Sequence, residues 1–353
     1  MLDADALARV KRDGRAKLIA GAWRELTGDG RRGAPLLVAC SGGADSTGLL
    51  LALAACGAVH SVAHVVHDLR SEAEALADRD AARAVASGLG IPFAEARVTV
   101  RIGGTSGANL EAGARRARYA ALTRMAVERG LGFVATAHHM GDQAETVLMR
   151  AVRGSSPGAL RGIARTRKLE GLAAGRRIAL IRPMLGMPRE TGPALCALAG
   201  VRWREDETNR DESRLRAWVR WKLLPMLDAR APGVEARLAG LADGAAECSA
   251  FLSRAAARTM RRAAIESGSS GAALRRAELR RAPGVVVALV LRQLAGAVGT
   301  DRGAGRRGMD GVSRDMTVRA SRAVRDGSGE TREFDWGRVV VRVLAERVEV
   351  RAK

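Results

Sequence analysis

Leu36-Leu37-Val38-Ala39-Cys40-Ser41-Gly42-Gly43-Ala44-Asp45-Ser46 runs from an apolar segment through two adjacent glycines into helix-type sequence, Thr47 to Cys56. This reads as a buried strand, a tight turn and a helix start. Glycines let an anion approach the backbone closely. Serine hydroxyls and the first helical N–H groups are donors, and the helix dipole adds positive charge. Residues Ser41, Gly42, Gly43, Ala44, Asp45 and Ser46 therefore make a phosphate cradle. It is not the Walker type, because the chain contains no Gly-Lys dipeptide. The plainer reading is a glycine-rich turn with Asp45 or Ser46 as the helix N-cap. Position at the end of a first strand favours the cradle.

Working outward, residues 1–33 read as a basic amphipathic helix ending in a Gly/Arg loop. Val59 to His67 is a second strand, and Glu72 to Ser87 is a helix closed by Gly88 and Gly90. Phe93 to Ile102 is a third strand, followed by a long basic helix from Asn109 to Arg129. Phe133 to Ala137 is a fourth strand, Asp142 to Arg153 a helix, and Ile178 to Ile181 a fifth strand before Pro183. Strand and helix alternate with short connections. That rhythm predicts a parallel sheet covered by helices on both faces, with ligand beyond the carboxyl ends of the strands.

The pattern changes after residue 213. Residues 213–300 are rich in Ala, Arg and Leu at helical spacing, and 301–311 form a basic loop. The tail from Thr317, above all Val339 to Val350, alternates like β-strands. The expected division is an N-terminal extension (1–33), a nucleotide-binding catalytic domain (34–212), a helical domain (213–305) and a β-rich C-terminal region (306–353).

Length and composition narrow the function. A chain of 353 residues suits two or three domains, and 47% apolar residues exclude wholesale disorder. Lys and Arg total 59 against 38 acids, a net charge of +21, and only five of the bases are Lys. Such a surplus points to a polyanionic partner, most simply nucleic acid, the alternative being a drifted surface composition. Aromatics are 3% with one Tyr, which argues against a surface built from stacking platforms. The cysteines, Cys40, Cys56, Cys196 and Cys248, form no C-x-x-C pair. That argues against a disulfide framework, a zinc ribbon or an iron–sulfur cluster and for a reducing, cytoplasmic setting. The N-terminus MLDADALARV has no apolar signal core. The most apolar stretch, Leu49 to Val66, is broken by Gly57, His60, Ser61 and His64, so no membrane span is expected. Two G-x-G-x-x-G matches, at Gly28-Gly30-Gly33 and Gly303-Gly305-Gly308, lack a strand–turn–helix context and support no dinucleotide site. Oligomeric state is left open.

The candidate site residues follow from the strand ends. His138 and His139 close the fourth strand, and Asp142 and Glu145 share a face of the next helix. Two carboxylates there can hold Mg²⁺ on phosphates, or the ammonium of an amine substrate. They can also simply favour the helix N-terminus. Arg115, Arg116 and Arg118 are either a solvated helix face or a phosphate-contacting stripe; Arg216 and Arg220, one turn apart, present the same choice. His64 and His67 face opposite sides of a strand and are poor co-ligands for zinc.

SGGADS, residues 41–46, resembles the SGG-x-DS loop of the N-type ATP pyrophosphatases, the PP-loop superfamily. Further stretches resemble one branch, the tRNA(Ile)-lysidine synthetase family. They are HVVHDLR (64–70), Asn109-Leu110-Glu111 with Arg115, Arg116, Arg118 and Tyr119, and ATAHHMGDQAETVLMRAVRG (135–154). RPML (182–185), EDETN (205–209) and RAWVR (216–220) complete the set. The similarity covers about residues 34–228. Val66, Asp68 and Ala217 depart from the family pattern, and no match is evident after residue 230. The resemblance implies an adenine nucleotide alpha hydrolase-like fold, with ATP and Mg²⁺ as cofactors. It implies free L-lysine and tRNA(Ile) with a CAU anticodon as substrates. It implies adenylation of C2 of the wobble cytidine followed by lysine transfer. Asp45, His138, Asp142 and Glu145 are then the expected catalytic residues, with Asp45 and Asp142 nearest the metal. Arg115, Arg118, Arg216 and Arg220 are the expected contacts to tRNA or leaving-group phosphates. Other implied possibilities are a tRNA thiolase on the same loop or a non-catalytic RNA-binding protein.

Overall fold

The computed structural model describes residues 4–28, 33–68, 71–99, 108–153, 157–169, 177–204, 215–268, 271–298 and 314–353. The chain divides into two compact units, one of residues 1–155 with 160–243, the other of 156–159 with 244–353. The first opens with α1 (Ala4–Arg12) and α2 (Gly14–Thr27). It continues through β1 (Leu36–Ala39), α3 (Ala44–Ala54), β2 (Val59–His67), α4 (Glu72–Gly88) and β3 (Phe93–Val98). Next come α5 (Ala108–Glu128), β4 (Phe133–Ala135), α6 (Met140–Val152), β5 (Thr166–Leu169), β6 (Ile178–Ile181) and α7 (Thr191–Ala199).

The sheet order is β3-β2-β1-β4-β6-β5. Every pairing is parallel except β5 on β6. The α/β architecture expected from the strand–helix rhythm is therefore the one observed. Strand order reverses at β1, which has β2 on one side and β4 on the other. This is the switch point where a crevice opens beyond the strand ends. The buried strands are continuous apolar runs: Leu36, Leu37, Val38, Val134, Leu180 and Ile181 have no exposed surface. The N-terminal helices belong to the same core, through Val10, Ile19 and Trp23. β5 carried no strand signal, because Thr-Arg-Lys is exposed and only Leu169 is buried. A short, basic edge strand of this kind discourages pairing with another chain.

Helix α8 (Leu215–Trp218) passes through a π-helical turn, Val219–Leu223, into α9 (Leu224–Arg230), which precedes the long α10 (Val234–Ala263). After it come β7 (Ala264–Ser267), β8 (Gly271–Arg275), α11 (Arg276–Arg280), α12 (Gly284–Val298) and α13 (Arg314–Arg325). The last strands are β9 (Arg332–Asp335), β10 (Val339–Val343) and β11 (Arg347–Ala352). They form an antiparallel sheet, β7-β8-β11-β10-β9, that joins part of the segment read as helical to the tail read as β-rich. The tail also holds a helix where strands were expected: Thr317, Ala320, Ser321 and Val324 are buried at helical spacing in α13. Buried Arg276 donates to the carbonyls of Ala323, Val324, Asp326 and Leu344, capping the end of α13.

Two glycines set how closely α7 approaches α3. A Cβ on Gly48 would sit 2.7 Å from Gly192 Cα and O, and a Cβ on Gly192 would sit 2.7 Å from Asp45 Cα. Backbone lies on both sides and neither helix can yield locally. Gly48→Ala is expected to destabilise the first unit by about 1–3 kcal/mol, the usual cost of overpacking. A lowered urea midpoint with unchanged slope checks this.

Candidate active site

The loop after β1 is shaped by its own atoms. Ser46 Oγ accepts from the Ser41 N–H at 3.0 Å and donates to the Gly43 carbonyl at 3.1 Å. Ser46 thus fixes the loop from inside instead of facing outward. Gly42 has φ +89°, and a Cβ there would meet the Asp78 carbonyl oxygen at 2.8 Å, so only glycine fits. Gly43 is the N-cap of α3 and supplies no side-chain cap. The first N–H groups of α3 are left for an anion. Arg204 closes over this loop: its N–H donates to the Gly42 carbonyl at 3.0 Å and its guanidinium pairs with Asp78 at 2.8 Å.

The end of β4 faces the loop. His139 is the N-cap of α6: its Nδ1 accepts from the Gly141 N–H at 3.1 Å, and its own N–H donates to Asp142 Oδ2 at 3.1 Å. With Nδ1 accepting, the ring proton sits on Nε2. That atom lies 3.7 Å from Asp45 Oδ2 and 3.7 Å from Asp142 Oδ2. Two carboxylates, from the first turns of the helices that follow β1 and β4, therefore meet on one imidazole. Burial, with the Asp142 charge adding to it, pushes the Asp45 carboxyl above its ordinary range against the pull of His139. Burial also works against the Asp142 charge, but His139, His138 and Arg216 hold that carboxyl well below the usual range. His64, also buried, bonds the Cys40 carbonyl at 2.8 Å, and burial lowers its pKa.

Glu145 was expected to point into the cleft, but it has no exposed surface. Its carboxylate takes Arg189 at 3.0 Å, Arg216 at 2.8 Å and Arg220 at 2.5 Å. The same two helix arginines reach Asp142, at 2.9 and 3.3 Å. Arg216 and Arg220, expected at phosphates, are thus engaged with the carboxylates of α6. Burial disfavours the Glu145 charge, yet the Arg220 hydrogen bond and the two cations bring its pKa down overall. Arg189 escaped the sequence reading, because Met187-Pro188-Arg189 has no periodicity that points to α6. Arg115 and Arg118 lie instead over the Tyr119 ring, 5.0 and 5.9 Å from its centre. Asn109 and Glu111 (side chains), Leu69, Arg70 and residues 205–209 fall outside what is described.

The acids at the mouth fit Mg²⁺. This ion takes one or two carboxylates and completes its shell with water and phosphate. Asp45 and Asp142 are such a pair; burial first, and the Asp142 charge after it, raise the Asp45 pKa, and a cation bound between the two would offset both. Among the described residues no group of three or more His, Cys, Asp or Glu forms a closed metal cage. The free cysteines are scattered: Cys40 and Cys196 are buried, Cys56 half-buried and Cys248 exposed in the second unit.

Comparison with known proteins gives the family. A family model for the PP-loop domain matches residues 19–227. The chain is 40% identical over 223 residues to tRNA(Ile)-lysidine synthase of Thermus thermophilus, covering 63% of this chain and 41% of that protein. It is 38% identical over 310 residues to the Deinococcus radiodurans synthase, covering 86% and 49%. It is 40% identical over 233 residues to that of Bordetella pertussis, covering 63% and 68%. Among solved structures, it resembles the U34-tRNA thiolase NcsA of Methanococcus maripaludis. The TM-score is 0.52 and the identity 17%, over 67% of this chain and 81% of that one, a likeness of fold alone. The chain belongs to the PP-loop family of ATP-binding domains and, within it, to the tRNA(Ile)-lysidine synthase family. It spans less than half the length of the Thermus and Deinococcus relatives.

His138 gives the site a pH signature. Burial, reinforced by Arg182, Arg115 and Arg216 and opposed by Asp142, pulls its pKa down to about 3. The unfolded chain takes up this proton near 6.5, so the contribution of His138 to stability is complete above that pH and is lost as pH falls towards 3. Buried His64 adds in the same direction. Unfolding free energy should therefore decline below about pH 6.5, and less steeply in His138→Asn. Urea titrations between pH 7 and 5 check both.

Proposed function

We propose that the protein ligates lysine to C2 of the wobble cytidine in tRNA(Ile) bearing a CAU anticodon, acting in the cytoplasm with ATP and Mg²⁺. In the first step the C2 oxygen of the cytidine bonds to the α-phosphorus of ATP and the bond to the β-phosphate oxygen breaks, releasing pyrophosphate. In the second the lysine ε-amine bonds to C2, the C2–O bond breaks, AMP leaves and the amine sheds its proton. The observation that carries this reading is the convergence of Asp45 and Asp142 on His139 beside the loop after β1. It supports a site that binds a triphosphate and a cationic substrate side by side.

Each residue has a distinct task in this reading. The loop and the open N-terminus of α3 hold the departing pyrophosphate. Asp45 and Asp142 would hold Mg²⁺, which supplies charge neutralisation on the phosphates when bound. In the second step the same carboxylates offer negative charge to the lysine ammonium. His139, with Nε2 3.7 Å from each carboxylate, lies between the pair. His138, neutral across the physiological range, can accept or donate a hydrogen bond without adding charge. Glu145 touches no substrate; it positions Arg216 and Arg220. No described helix is long and apolar enough to cross a bilayer.

Labelled lysine, ATP and a panel of transcribed tRNAs provide the direct test, and labelling confined to the CAU isoleucine transcript is expected. Asp45→Asn should lower pyrophosphate release and lysine incorporation by at least about 100-fold, the scale seen when one preorganised charge is removed from a site. Glu145→Gln should impair both steps, because it removes the charge that balances Arg189, Arg216 and Arg220. Wild-type rates in both assays for either variant would remove that residue from the site.

A further inference from the structure

Four guanidinium groups surround the ring of Tyr119, and a fifth is close by. Those of Arg115, Arg167 and Arg118 lie 5.0, 5.7 and 5.9 Å from the ring centre. Arg182, only 3% exposed, is packed against the phenol, and Arg116 lines the adjoining cavity. That cavity measures about 460 Å³, lies between α5 and the edge strand β5, and is lined also by Thr123 and Leu169. Among the described residues none of the five arginines meets a carboxylate. This contrasts with Arg189, Arg216 and Arg220, all of which do.

Several features mark the cavity as a place for an anion. Arg182 Nε is buried without a hydrogen-bond partner. Buried donors are normally satisfied, so this one leaves the charge behind the Tyr119 ring under-compensated. Burial lowers the Arg182 pKa, and repulsion from Arg115 and Arg167 lowers it further, although Tyr119 offsets part of this. Cations are not held together at this density at little cost unless negative charge arrives. The uncompensated guanidiniums lie along α5, at Arg115, Arg116 and Arg118, and reach the edge strand at Arg167. A row of charges of that kind, beside a cavity larger than one phosphate group, suits a chain of phosphates better than a single ion.

We propose that this cavity binds backbone phosphates of the RNA substrate, Arg116 and Arg167 making the outer contacts and Arg115 the inner one, with buried Arg182 adding positive charge from behind the Tyr119 ring. The proposal rests on the tRNA-modifying reading above. Arginine forks pair bidentately with phosphate oxygens, and the apolar floor of Tyr119 and Leu169 excludes water from those contacts. The other source of the same chemistry is a nucleotide phosphate, which already has a cradle in the loop after β1.

The test is the double variant Arg116→Gln/Arg167→Gln, at two exposed positions, with thermal melting as a check of fold. Affinity for a tRNA transcript is measured from 50 to 200 mM salt, and ATP affinity is measured separately by equilibrium dialysis. Losing two phosphate contacts should weaken tRNA binding roughly tenfold and make the logarithmic salt slope shallower by about 2. Arg116→Lys/Arg167→Lys should restore the slope, since it depends on charge. An unchanged slope and affinity in the Gln pair would overturn the proposal. Weaker ATP binding with unaltered tRNA binding would also overturn it, by assigning the cavity to nucleotide phosphates. The readout needs no lysine transfer. A chain that loses the slope yet never labels tRNA with lysine keeps this site and loses the proposed reaction.

Discussion

Glu145 keeps its charge at zero exposure, and that is tolerable only because three guanidiniums surround it. Taking a carboxylate out of water costs several kcal/mol unless partners with good geometry replace the solvent. Here the partners come from two other places in the chain: Arg189 follows β6, and Arg216 and Arg220 sit on α8 and its π-helical turn. The contact therefore clamps two other segments to one point of α6. Asp142, one turn earlier, shares two of the arginines and is also held by the His139 N–H. Its rotamer is fixed twice over, and with it the position of the charge that faces Asp45. The π-helical turn falls where the helix must keep both arginines aimed at α6, a common use of such local widening.

The sheet decides where this cluster can act. Because β1 has β2 on one side and β4 on the other, the helices that follow β1 and β4 diverge and leave their N-termini beside a crevice. α3 brings an uncapped set of N–H groups to that crevice; α6 brings an N-cap histidine whose second nitrogen is free to meet carboxylates. One helix start is prepared for an anion and the other for a cation. The glycine crossing of α3 and α7 holds the first of these in place, since Gly192 lies directly against the Asp45 backbone.

Legibility from sequence followed the range of the interactions. The phosphate loop was legible because its determinants are local: a strand end, two glycines and a helix start within eleven residues. The Asp142/Glu145 pair was legible as a shared helix face for the same reason. The arginine clamp was not, because Arg216 and Arg220 meet those carboxylates across 71 to 78 residues, and no periodicity encodes such a pairing. Arg-x-x-x-Arg on a helix looks alike whether it faces solvent, RNA or buried acids. The edge strand β5 was illegible because Thr166, Arg167 and Lys168 are polar and exposed and only Leu169 is buried. Strands β7 and β8 were lost in an Ala/Arg-rich region whose bias mimics helix. In α13, Thr and Val suggested strand, but burial at helical spacing against α12 overrode that propensity.

The charge surplus divides into two populations with different physics. Arginines that meet carboxylates near the crevice, Arg189, Arg216 and Arg220, match Asp45, Asp142 and Glu145 in number, so that cluster is close to neutral. The arginines around Tyr119 have no such balance. His138 lies between the two groups and remains uncharged because burial and the neighbouring arginines outweigh the pull of Asp142. A protonated imidazole there would add to the unbalanced side and weaken the gradient between them. The neutral ring keeps an acidic face, suited to a metal ion and an ammonium, directly beside a basic face suited to phosphates. A reaction that joins an amine to an adenylated RNA base needs both faces within one crevice, and a net positive composition alone would supply only the second.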